Sequence, residues 1–117
     1  LKSLGCRVTV SARKASDFAL ISAMGCYAAK TSEIKKHLNC DIIFNTVDVK
    51  VIEDGDFEDC TAELIMDLSS RGGYDSAAAE AAGITALKAP GLPGKTAPQT
   101  AGEILARSVR EIITTTI

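Results

Sequence analysis

The sequence predicts an α/β fold, a doubly wound parallel sheet, on three observations. Short β-branched runs alternate with Ala-rich helical segments along all 117 residues, and no low-complexity linker interrupts the rhythm. The runs Asp41–Thr46 and Glu63–Leu68 are almost continuously apolar, the pattern of strands covered by helices on both faces. Single helices between strands imply right-handed parallel crossovers, and ligands of such sheets lie outside the carboxyl ends of the strands.

In order along the chain, Leu1–Leu4 with Gly5 reads as the last turn of a helix, and Arg7–Ser11 reads as a strand. Ser16 is placed to cap a helix carrying Phe18, Leu20, Ile21 and Met24, closed by Gly25. A short strand is expected near Cys26–Ala29, and Thr31 or Ser32 is expected to cap a helix running through Leu38. After the strand Asp41–Thr46 comes an acidic connection, Asp48 to Asp59. Its Glu53-Asp54-Gly55-Asp56 resembles part of a calcium loop but lacks the register and closing Glu of an EF-hand, so a solvated turn is expected. Glu63–Leu68 is the next strand and Ser69-Ser70-Arg71-Gly72-Gly73 a polar break. Tyr74–Ala82 reads as a helix closed by Gly83, and Ile84–Leu87 as a last strand. Gly91-Leu92-Pro93-Gly94 reads as a rigid turn. The terminal helix then opens on a Thr96/Gln99 capping box with Pro98 in its first turn, and carries an apolar face of Ala97, Ala101, Ile104, Leu105 and Val109.

Composition narrows the function. Lys and Arg number 13 against 15 Asp and Glu, a net charge of −2, and aromatics are 4% with no Trp, so neither the basic footprint nor the stacking residues of a nucleic-acid binder are present. No apolar run approaches the ~18 residues of a membrane span, and no signal-peptide pattern opens the chain, which makes the cytoplasm the default compartment. Cys6, Cys26, Cys40 and Cys60 form no C-x-x-C pair, and the sole histidine, His37, stands beside Lys35 and Lys36. No metal site is expected; the thiols are read as reduced and mostly buried, and His37 as a solvated helix residue.

The segments that follow strands hold the candidate site residues. Ser11, Arg13 and Lys14 follow the first strand, where a dinucleotide-binding fold places an acidic residue for the ribose hydroxyls of NAD or an Arg for the 2′-phosphate of NADP; the bland alternative is a solvated basic turn. Asn45 and Thr46 can contact a nicotinamide ribose or bond the turn backbone. Asp67 can orient the loop after it or sit as a satisfied carboxylate under a helix. Ser69 and Arg71 lie in a glycine-rich loop, where Arg71 can clamp a carboxylate in bidentate fashion or merely decorate a turn. Gly91, Leu92 and Pro93 lead to Lys95 near a helix start.

The run Leu64-Ile65-Met66-Asp67-Leu68-Ser69-Ser70-Arg71-Gly72-Gly73, and then Gly83 through Leu105 with its core Ala89-Pro90-Gly91-Leu92-Pro93-Gly94-Lys95-Thr96-Ala97-Pro98-Gln99-Thr100-Ala101-Gly102, closely resembles the C-terminal part of the dipicolinate synthase A-subunit family. The resemblance extends over essentially the whole chain. It departs from the family pattern at Gly72 and at Asp48, where the family usually has Pro. The resemblance implies a Rossmann-like nucleotide-binding portion of an NAD(P)-dependent oxidoreductase that oxidises a dihydrodipicolinate-type precursor to dipicolinic acid during sporulation. NADP is favoured over NAD. It implies a small dicarboxylic substrate, a second and flavoprotein-like partner, the B-subunit of dipicolinate synthase, and a homo-oligomer. It also implies cofactor contacts at Ser11, Arg13, Lys14, Asn45, Thr46, Ser69, Gly91, Leu92 and Pro93, and substrate contacts at Arg71 and Lys95.

The nine glycines form no G-x-G-x-x-G. The first strand, that turn and an N-terminal substrate domain are therefore expected before Leu1, making residues 1–117 a single partial dinucleotide-binding domain. Without the central strand, the sheet is expected either to close directly or to pair with a second copy, and the isolated chain to be inactive. No general base is evident, so the catalytic residues stay unassigned. Two alternatives stay open: another dehydrogenase of this fold, such as a 2-hydroxyacid type, and a non-catalytic binding or assembly module with the apolar tail Ile112–Ile117.

Overall fold

The computed structural model describes residues Leu1–Thr116; Ile117, the end of the apolar tail, lies outside the described residues. Five strands form two parallel sheets. β1 (Thr9–Ala12) pairs with β2 (Tyr27–Lys30), and β3 (Ile42–Asn45), β4 (Leu64–Asp67) and β5 (Thr85–Lys88) pair in that order. Helix α1 (Ala15–Ala23) links β1 to β2, and α2 (Ser76–Ala81) links β4 to β5. Two 3-10 segments, Thr31–His37, kinked at Glu33, and Asp54–Asp59, precede β3 and β4. The α/β class and parallel pairing follow the sequence reading. Of the two expected repairs, direct closure does not occur: among the described residues β1 pairs only with β2, and β3 only with β4.

The core lies under the three-stranded sheet, where Leu38, Ile52, Phe57, Ile65, Ala79 and Ile84 pack together. Phe57 lies in the acidic connection, so that segment is an anchored helical turn whose capping box, Glu53 with Asp56, holds its first turn. β4, the central strand, is buried on one face at Ile65 and Asp67 and half-buried on the other at Leu64 and Met66, whereas in β3 Ile42 is 47% and Phe44 38% exposed. An edge strand has a neighbour on one side only, and a helix over one face leaves the other open.

Several caps differ from expectation. α1 starts two residues early, with Lys14 at its N-cap, and Ser16 bonds only the neighbouring Asp17. Neither Thr31 nor Ser32 caps the next segment; Lys30 stands there. Gly91 to Gly94 is no simple turn, because Gly91 (φ 67°) caps a short helix, α3 (Leu92–Thr96). Thr96 therefore donates back to the Leu92 carbonyl at 2.7 Å, and no Thr96/Gln99 box forms. Pro98 opens α4 (Pro98–Thr116) as its rigid φ allows. α4 packs chiefly on α3, and Ile104, Leu105, Val109, Ile112 and Ile113 are exposed. The cysteines are all free, yet none is fully buried: Cys6 is exposed and Cys26, Cys40 and Cys60 are half-buried. Cys60 packs against the rim of the core.

Candidate functional site

The carboxyl ends of β3 and β4 carry a closed polar network. Register sets Asn45 opposite Asp67, so two polar residues share one end of an apolar ladder. Asn45 is 5% and Asp67 2% exposed. Buried polar groups must be paired, and these are. One Asp67 oxygen accepts from Asn45 Nδ2 at 2.8 Å, from the Ser69 hydroxyl at 2.6 Å and from the Ser69 amide at 3.1 Å. Burial raises the Asp67 pKa as the largest single effect. The bonds from Ser69 and Asn45, aided by the Lys88 charge, together outweigh it and hold the carboxyl below its usual range.

Around this carboxylate the loop is fixed on all sides. The Gly72 amide donates to Ser69 Oγ at 2.9 Å, and Asn45 Nδ2 also donates to the Val47 carbonyl at 3.0 Å. Asp48 reaches across the chain, its Oδ1 accepting from the amides of Ser70 and Arg71 at 2.8 Å each. Gly73 has no room for a side chain: a Cβ would stand 2.6 Å from Asn45 Oδ1 and 2.9 Å from the Val49 carbonyl. Gly72 (φ 90°) uses the left-handed conformation that glycine alone adopts freely. Next to them, burial and the Asp67 and Glu80 charges push the Tyr74 phenol up, and its hydroxyl is buried without a partner.

This arrangement sorts the predicted residues. Asn45 and Ser69 have their polar groups engaged inside the protein, and with Asp67 they position the turn. Thr46 and Arg71 are exposed beside them. Asp48, which ties down the Arg71 backbone, was visible in the sequence only as a departure from the family pattern; a bond spanning 23 residues leaves no local signature. Gly91, Pro93 and Lys95 are exposed after β5, with Leu92 half-buried.

At the two-stranded sheet, Ser11, Arg13 and Lys14 are exposed at the carboxyl end of β1. A hollow of about 300 Å3 opens there, lined by Ala12, Arg13 and Phe18 from β1 and α1 and by Lys30, Thr31 and Ser32 from the end of β2. Sequence reasoning did not mark the last three as site residues. Ala12 and Lys30 stand opposite each other in the parallel register, which brings the ends of both strands to the hollow. Among the described residues, the ion pairs use Lys35, Lys36 and Lys50, and neither Arg13 nor Lys30 has a carboxylate partner. His37 is exposed. Among the described residues, no three or more His, Cys, Asp or Glu are placed to hold a metal ion, and no helix is long and apolar enough to cross a membrane.

The fold and site define a parallel α/β protein whose polar residues gather at the carboxyl ends of its strands, the usual ligand edge of such sheets. The chain is 42% identical over 114 residues to the A-subunit of dipicolinate synthase from Bacillus subtilis, covering 95% of this chain and 38% of that protein. The crystal structure of that Bacillus subtilis protein matches with a TM-score of 0.84 at 41% identity, over 97% of this chain and 39% of that one. The crystal structure of the dipicolinate synthase A-subunit from Bacillus halodurans matches with a TM-score of 0.83 at 36% identity, over 95% and 39% of the two chains. The resemblance read from the sequence thus holds along nearly the whole chain, which spans about two fifths of the length of these relatives. No protein-family model matches.

Proposed function

We propose that this chain is the nucleotide-binding portion of a dipicolinate synthase A-subunit, taking part in NADP-linked oxidation of a dihydrodipicolinate-type precursor to dipicolinic acid during sporulation. The observation that carries this reading is the 42% identity over 114 residues to the Bacillus subtilis protein of that name. The residues fit the cofactor at its ribose-phosphate end, where an exposed Arg13, without an ion-pair partner among the described residues, borders a hollow large enough for a phosphate and part of a ribose. Ser11 and Lys14 flank it. Thr46 meets the nicotinamide ribose, on a turn held by Asn45, Asp67 and Ser69, and Gly91, Leu92 and Pro93 border the nicotinamide carboxamide. When bound, the nicotinamide carries the redox chemistry, and the protein supplies binding and orientation.

Arg71 and Lys95 take the carboxylates of the small diacid substrate. The Asp48 clamp on the Arg71 amide leaves the guanidinium free to present its fork. The working enzyme is read as a cytoplasmic homo-oligomer acting with the B-subunit of the synthase. Its test compares NADP with NAD on the full-length protein. Arg13→Ala is expected to cut NADP affinity about tenfold and leave NAD affinity unchanged, since a charge-assisted contact is worth ~1.5–3 kcal/mol and the site is open to solvent. An unchanged preference for NADP in the variant removes Arg13 from the site; no preference in the parent protein removes NADP from the reading.

A further inference from the structure

We propose that Lys30, with the hydroxyls of Thr31 and Ser32, forms the second wall of a ribose-phosphomonoester pocket facing Arg13, so that specificity for a phosphorylated ribose is set by two strands instead of one. The inference rests on the NADP reading of Arg13 and adds residues at the end of β2 to it. The parallel pairing carries it first: Ala12 and Lys30 are opposite residues, each the last of its strand, so Arg13 and Lys30 leave the sheet side by side at one edge. Both border the same hollow of about 300 Å3. Two cations bordering one hollow give it a positive potential that favours an anion.

The surroundings agree with an anion. Glu33 senses the Lys30 charge, but its carboxylate is engaged with Lys36 at 2.6 Å. That hydrogen bond is the main reason its carboxyl is held below the usual range, and Lys30 is a lesser one. Thr31 and Ser32 offer neutral hydroxyl donors that bond a phosphate oxygen without adding charge. Phe18 gives the hollow an apolar side against which a sugar or base can rest. A bare anion needs no such side, so the pocket suits a phosphate carried on a ribose.

The probe is adenosine 2′,5′-bisphosphate, titrated calorimetrically into the full-length protein beside adenosine 5′-monophosphate, which lacks the second phosphate. Lys30→Gln is expected to weaken the bisphosphate about tenfold with no change for the monophosphate, while Lys30→Arg retains most of the affinity. The preference for the bisphosphate is expected to shrink as salt is raised, because the cations are exposed. Lys30 is exposed at a strand end, so an unchanged thermal melt is expected to accompany the loss. If Arg13→Gln loses the preference and Lys30→Gln keeps it, the second wall is wrong and the Arg13 reading stands. If Lys30→Gln loses it and Arg13→Gln keeps it, the Arg13 reading falls and the two-strand pocket falls with it. Equal binding of both nucleotides by the parent protein overturns both.

Discussion

Asp67 shows how one residue can be both costly and necessary. A buried carboxylate loses its hydration, and here three hydrogen bonds to one oxygen more than offset that loss. Asp67→Asn keeps the shape but removes the charge that strengthens each bond, and about 1–2 kcal/mol of stability is expected to go with it at neutral pH. The pH dependence has a definite sign. The folded-state pKa is depressed below the unfolded value of ~3.9, so the advantage of Asp over Asn is fully present above that value. It is lost as pH falls from about 4 through the folded-state pKa. Denaturant titrations of both proteins at neutral and acid pH measure the gap, and a gap independent of pH would show that Asp67 acts by shape alone.

At the scale of elements, the sequence announced the strands well because apolar runs bounded by turn residues have few other uses; Leu64–Asp67 is the clearest. Helix ends were harder. Ser16, Thr31 and Thr96 are all good capping residues, yet each lies at least one position away from the cap because the preceding backbone sets where the helix starts. Burial was harder still. The run Ile42-Ile43-Phe44 reads as doubly covered, but coverage depends on neighbours far along the chain, and β3 is an edge strand here. The candidate site divides in the same way: the positions after strands were legible, whereas the Asp48 clamp and the Lys30 wall depend on pairings across the sheet. α4 supplies a test at this scale. It packs chiefly on α3, so its stability rests mainly on its own propensity, and Gly102 weakens it with no contact to compensate. Gly102→Ala is expected to stabilise the helix by roughly 0.5–1 kcal/mol, seen as slower amide exchange across residues 98–116 and unchanged exchange in β4. Faster exchange in the variant would mean that Gly102 serves a packing role absent from this structure.

For the whole molecule, the question is what a polypeptide of these 117 residues does by itself. Its sheets present unpaired edges at β1 and β3 among the described residues, with Val10, Ile42 and Phe44 exposed beside them. Such edges invite pairing with another copy, so self-association that grows with concentration is expected in light scattering, and Phe44→Lys is expected to reduce it. Cofactor binding follows from the same inventory. A dinucleotide is held chiefly by its pyrophosphate on a glycine-rich turn at a helix N-terminus, and none of the nine glycines here forms that motif. With no pyrophosphate anchor to hold the nicotinamide end against Thr46 and Gly91–Pro93, what remains is the ribose-phosphate end, one or two charge-assisted contacts worth ~1.5–3 kcal/mol each. From these the loss of translational and rotational freedom must be subtracted, an estimated cost of about 4 kcal/mol or more. At best about −2 kcal/mol is left, short of the roughly −4 kcal/mol that a Kd of ~1 mM requires. The 117-residue polypeptide is therefore expected to bind NADP no better than millimolar and to turn over no substrate. Calorimetric titration at matched salt decides it, because micromolar binding by a monomer of this length would require a pyrophosphate site that these residues do not form.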